Sequence, residues 1–137
     1  MKRALLACAL LLASCGNPTV QTPAPPNSAQ TQVLNIDKTL ADAINAAVKT
    51  AITLRDQGAI TAVDTRTVED WAHSADGVID KIATEIGSAD PWSTQKQKIL
   101  LLIPSLQIPF RGPVNTTLQA SLAAVTTTIQ LLRAQVQ

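Results

Sequence analysis

The chain has 137 residues, a formal net charge of +1 and 46% hydrophobic residues. Near-neutrality gives no electrostatic basis for binding nucleic acid or a strongly anionic surface. With no Tyr, one Phe and two Trp, the sequence offers no run of aromatic platforms on which bases or sugars stack.

Lys2 and Arg3 precede an apolar run, Ala4 to Ala13, interrupted only by the thiol of Cys8. The run is far shorter than the roughly 20 apolar residues of a membrane-spanning helix. A charged start, a short apolar centre and small residues at its end describe a secretory signal peptide. Its last residues, Leu12-Ala13-Ser14-Cys15 followed by Gly16, resemble the lipobox of bacterial lipoproteins at all four positions. The resemblance is confined to the leader. It implies removal of residues 1–14 by signal peptidase II, a diacylglycerol on the sulfur of Cys15 and acylation of the new N-terminus. Each buried CH₂ contributes about 0.8 kcal/mol, so two or three acyl chains hold where one does not. Residue 16 is Gly. The Asp that marks inner-membrane retention in enterobacterial lipoproteins is absent. The expected location is therefore the cell envelope, on the outer membrane facing the periplasm in a Gram-negative host.

Processing changes the chemistry of what remains. Lys2 and Arg3 leave with the leader, so nine Lys and Arg face ten Asp and Glu and the net charge becomes −1. Cys8 is lost and Cys15 is acylated, leaving no thiol for a disulfide or a thiolate metal site. Stability has to come from packing. The core must be built of Ala, Ile, Leu and Val, a composition suited to closely packed helices rather than to a sheet.

Residues 15–32 form the lipidated N-terminus and a tether. Four of the eight prolines (Pro18, Pro23, Pro25 and Pro26) fall here among Thr, Gln, Asn, Ser and Ala. Such a stretch cannot bury enough surface to order itself. Fully extended at about 3.1 Å per residue, it would hold the domain up to roughly 50 Å from a bilayer.

Residues 33–137 are expected to form an all-α antiparallel bundle of three to four helices. The first spans 33–57: Ile36, Leu40, Ile44, Ala47, Ala51 and Leu54 share one face, Asp37 and Asp42 lie early and Lys49 and Arg55 late, and Gly58 is placed as a left-handed stop. The second spans 61–86, with Thr61 or Thr65 as cap, an apolar stripe of Val68, Trp71, Ala75, Val78, Ile82 and Ile86, and Gly87 at its end. Gly77 inside it predicts close approach of a neighbour or a kink. Asp90-Pro91 reads as N-cap and first helical residue of a third segment. Ile99 to Ile103 is wholly apolar, and Pro104 and Pro109 argue for a buried helix that kinks or ends near Pro104. After Gly112-Pro113, the positions Val114, Leu118, Leu122, Val125, Ile129, Leu132 and Val136 keep a heptad spacing and predict a last helix packed along its length. Thr126, Thr127 and Thr128 lower its intrinsic propensity.

Between Ile99 and Leu132 only Arg111 is charged. A helix without charge on any face is either central or covered. Two expectations follow: the last helix is the most buried of the bundle, or the third and fourth segments carry a partner-binding or self-association face. The candidate face comprises Ile99, Leu102, Leu106, Leu118, Leu122, Val125 and Ile129.

His73, the single histidine, has only Asp70 and Asp76 near it in sequence, and all three read as helix surface. There is no G-x-S-x-G, phosphate-binding glycine loop or H-E-x-x-H. No enzyme activity, cofactor, metal, nucleic acid or small-molecule substrate is expected; the covalent lipid on Cys15 is the one non-protein group. The sequence thus describes a membrane-anchored envelope lipoprotein with a structural or partner-binding helical domain. A second expectation is a phage- or prophage-encoded lipoprotein acting in lysis or superinfection exclusion. Size, lipobox and tether are loosely similar to outer-membrane spanins, though those are mostly Pro-rich linker and this chain carries a long helical domain.

Overall fold

The computed structural model describes residues 27–110 and 115–137. The expected lipobox with Cys15, most of the expected tether, and residues 111–114, with the expected restart at Gly112-Pro113, lie outside the described residues. Four α-helices follow in order: α1 (Ser28–Asp56), α2 (Ala62–Ile86), α3 (Trp92–Leu102) and α4 (Thr116–Val136), with a 3₁₀ turn, Ile103–Leu106, continuing α3. There is no strand among the described residues. The protein is an all-α antiparallel four-helix bundle. α1 packs on α2 and α4, α3 closes the ring between α2 and α4, and neighbours around the ring run in opposite directions.

Local chemistry sets each boundary. α1 begins at Ser28, five residues before the expected start at 33, so residues 28–32 belong to the helix and not to a linker. Asn27 and Gln30 form a capping box: the Asn27 side chain accepts from the Gln30 N–H at 2.9 Å and the Gln30 side chain accepts from the Asn27 N–H at 2.7 Å. Gly58 ends α1 at φ 70°. Its N–H donates to Arg55 O and that of Ala59 to Leu54 O, which is a Schellman closure. Thr61 caps α2 through a second box with Asp64.

The α3 start corrects the sequence reading. Pro91 is the N-cap, its carbonyl taking the Thr94 and Gln95 N–H groups, and Asp90 makes no cap hydrogen bond. The Asp90 carboxylate instead meets Lys98 at 2.6 Å, and Lys98 also reaches Glu85 at 3.0 Å. These contacts with Asp90 first, then Glu85, raise the Lys98 pKa above its ordinary value. Pro104 lacks the N–H needed to continue an α-helix. The chain tightens into the 3₁₀ turn and leaves as an extended segment, 107–110.

The core is aliphatic. Val33, Leu40, Ile44, Ala47 and Ala51 of α1 meet Val68, Ala75 and Ile82 of α2, Ile99 of α3, Leu106, and Leu118, Val125, Leu132 and Val136 of α4, all fully buried. Each large member contributes about 1.5–3 kcal/mol by leaving water. Thr126, Thr127 and Thr128 satisfy their hydroxyls by donating to the carbonyls four residues back, at 3.1, 3.0 and 2.9 Å. That lets Thr128 sit in the buried face.

Thr65, the other cap candidate for α2, is buried instead, its hydroxyl donating to the Thr61 carbonyl at 3.1 Å, and Asp37 and Gln95 also occupy core positions. Asp37, expected to complement the dipole of a helix beginning at 33, is 4% exposed on the buried stripe of α1, between Val33 and Leu40. It lies beyond the first turn, where the dipole no longer favours it. Gln95 is 1% exposed and fully used. Its Oε1 accepts from Gln30 Nε2 at 2.8 Å, and its Nε2 donates to the Asp90 and Ser88 carbonyls at 2.9 and 3.0 Å. One amide thereby ties α1, α3 and the α2–α3 turn together. Replacing Gln95 by Ala strands these groups in the core and should cost about 1–3 kcal/mol, read as a lowered midpoint in urea unfolding followed by circular dichroism.

Gly77 departs from expectation. It is exposed, and a Cβ there would meet nothing within 4 Å. α2 runs unbroken through it, so the glycine serves neither close approach nor a kink. Gly77→Ala should stabilise the bundle by about 1 kcal/mol through helix propensity alone, checked in the same unfolding assay.

Candidate functional site

The candidate face expected from the sequence does not exist as a surface. Ile99, Leu106, Leu118 and Val125 are fully buried, Leu122 is 6% exposed, and Leu102 and Ile129 are half-buried against the same core. The heptad read along α4 is its core stripe, consumed by packing within the chain. The expectation that α4 is the most buried helix is corrected too: it buries six of its 21 residues against eight of 25 in α2, and its opposite side lies open. Ala120, Ala124, Thr127, Leu131 and Ala134 are all exposed and recur at spacings of four and three. They form a second heptad seam on the outer side. Leu131 is 54% exposed, and Leu101 at the end of α3 78%.

This outer face carries no charged side chain; on α4 only Arg133 is charged, at the margin of the core stripe. The outer faces of α1 and α2 present Lys38, Asp42, Lys49, Arg66, Asp70, Asp76 and Lys81, all exposed. The difference is sharp because charge is the usual means of keeping an exposed helix face solvated.

A groove flanks the face, and its cause lies in Pro104. α3 has 11 residues against 25 in α2, so the fourth wall of the ring stops short. The extended segment 107–110 replaces it and fills less space. Between Ile108 and Phe110 on one side and Leu122, Ala123, Thr126 and Thr127 of α4 on the other is a groove of about 460 Å³. A further recess of about 310 Å³ at Gln107, Ile108, Ile129 and Gln130 continues it along α4. Among the described residues the lining is apolar and amide or hydroxyl in character, without a charged side chain. Such a surface can accept an apolar side chain or a helix edge.

On the far side of segment 107–110, Trp71 closes the bundle, its Nε1 donating to the Leu106 carbonyl at 3.4 Å. A shallower recess of about 330 Å³ there includes Thr67, Asp70, Ser74 and Pro109. His73 is exposed on α2 and does not reach into it. Among the described residues no three His, Cys, Asp or Glu side chains are gathered as a metal site, and no helix is long and apolar enough to cross a membrane. No family model, curated protein or solved structure matches the chain.

The outer α4 seam was legible in principle. Positions 120, 124, 127, 131 and 134 keep the same spacing as the core stripe, but their Ala and Thr carry too little hydropathy to stand out beside Leu, Val and Ile. The groove had no sequence signal beyond Pro104, since its existence depends on the lengths of the walls on either side.

Proposed function

We propose that this is a lipid-anchored cell-envelope protein whose helical domain is a non-enzymatic partner-binding module. Its location rests on the leader: a positive start, a short apolar run and Leu12-Ala13-Ser14-Cys15. The anchor is the acylated Cys15, and the outer membrane facing the periplasm is the site in a Gram-negative host. The binding role rests on one observation, the uncharged outward face of α4 beside its groove, on a bundle whose other outer faces are charged. An uncharged seam of small residues lets another helix approach closely without desolvating ions. The partner is a protein presenting a similarly uncharged helix, a second copy of this chain included.

The anchor is tested by Cys15→Ala with metabolic labelling by a palmitate analogue. Label should be lost and the unprocessed precursor should accumulate; unchanged labelling and processing would refute the lipoprotein assignment. The face is tested by a photo-crosslinking amino acid placed at Thr127 and, in a parallel strain, at Asp76 on α2. Thr127 should give a discrete adduct in cells and Asp76 none. An adduct at twice the mass of the chain identifies self-association. No adduct from Thr127, or the same adducts from both positions, would overturn the assignment of the face.

A further inference from the structure

Asp37 is the one buried carboxylate in an otherwise aliphatic seam. It takes the place of an apolar residue on the α1 stripe, and its Oδ1 finds no hydrogen-bond donor among the described residues. The charged groups around it offer no compensation. From α2, Asp80 faces it and adds like charge, while Lys81 is exposed and makes no ion pair. On α4, the Ser121–Thr50 hydrogen bond sets a register that brings Arg133 and Ala134 level with Asp37, yet Arg133 is exposed and pairs with no carboxylate. α3 lies diagonally across the ring, and its Lys98 is taken by Glu85 and Asp90. On α1 itself Lys38 points to solvent.

The packing on either side of Asp37 is unequal. Toward the C-terminus, α1 is held by Leu40, Ile44, Ala47, Ala51 and Leu54. Toward the N-terminus it is held by one fully buried side chain, Val33, with Leu34 and Ile36 half-buried against the core, by the capping box, and by the hydrogen bond from Gln30 to Gln95. Asp37 stands where a well-anchored helix becomes a lightly anchored one.

We propose that Asp37 is a proton-sensitive joint: neutral, it lets the first turns of α1 close onto α2 and α4, and ionised, it releases them while the rest of the bundle stays packed. The direction follows from burial. Desolvation, and then Asp80, push its pKa from 3.8 up to about 7. The folded chain thus keeps a proton that the unfolded or opened chain has released. The contribution of Asp37 to closure is complete below the unfolded value of 3.8, declines as pH rises through 7 and is gone above it. Release breaks the Gln30–Gln95 bond and returns residues 28–37 to the chain leading out of the bundle. Where the chain is anchored as proposed above, those residues lengthen the stalk; the opening itself does not depend on the anchor and is tested without reference to it.

The test is amide hydrogen exchange on the full chain in detergent micelles at about pH 5.5 and about pH 8.5, with each rate divided by its intrinsic chemical rate. Amides of residues 31–37 should be roughly tenfold or more better protected at the lower pH, whereas those of 44–54 should keep the same protection at both. In Asp37→Asn the difference across 31–37 should vanish. Asp80→Asn, a conservative change at an exposed site, removes the like charge and should shrink the loss of protection across 31–37 between the two pH values, which covers the case in which Asp37→Asn does not fold. Equal protection of 31–37 at the two pH values in the native chain would overturn the proposal. So would a pH difference of the same size in Asp37→Asn, or one spread evenly over 31–54.

Discussion

The bundle depends on an aliphatic core that must be closed by shape alone. There is no Tyr, a single Phe and no disulfide within the described residues to span a loose fit. Ala47, Ala51 and Ala75 are fully buried at the helix contacts, so α1 can approach its neighbours closely. A small side chain gains little unless the facing surface follows it. Register therefore matters more than bulk, and the chain fixes register at its turns. The Asn27 and Thr61 boxes and the Gly58 closure set where α1 and α2 start and stop. Gln95 then adds hydrogen bonds that fix α3 to α1 and to the α2–α3 turn, beside the apolar contact of Ile99.

The same economy makes the molecule one-sided. α1 and α2 have one apolar face and one charged face and meet the usual pattern of helices that bury a single stripe. α4 buries a stripe of comparable length but presents Ala, Thr and Gln outward. Pro104 adds to the asymmetry by ending α3 early, so that segment 107–110 covers the neighbouring wall incompletely. Two independent features, a composition bias on α4 and a proline just after α3, thus converge on one side of the protein. That side, unlike the core stripe of α4, is left open to solvent.

Asp37 and Gln95 show two fates of a polar group on a core stripe. Gln95 is neutral and every hydrogen-bonding atom of its amide is matched, so it fixes one arrangement of three elements. Asp37 is ionisable and incompletely matched, so its stability contribution varies with the surroundings. The burial of both escapes apolar periodicity for the same reason. A search for apolar periodicity selects Ile36 and Ile99 and passes over polar residues, although Val33, Asp37, Leu40 and Ile44 keep the better spacing, as do Gln95, Ile99 and Ile103.

By itself the sequence determined the helical class, the stripes of α2 and α4, the stops at Gly58 and near Pro104, and a threonine cap on α2 at Thr61 or Thr65, of which the structure selects Thr61. These are local properties, set by spacing, backbone freedom and hydrogen bonds within one turn. The earlier start of α1 was also local, written in Asn27 and Gln30, and was hidden by the prolines before them. Tertiary structure alone decided which side of α4 is open, that α3 is too short to complete its wall, that Asp90 serves Lys98 instead of a cap, and that Asp37 is buried. Each depends on what another element places opposite, and burial is a property of pairs of surfaces that no single helix carries in its own pattern. The open side of α4 is the clearest case: the spacing of its residues lies in the sequence, but its exposure is decided by where the other helices stand.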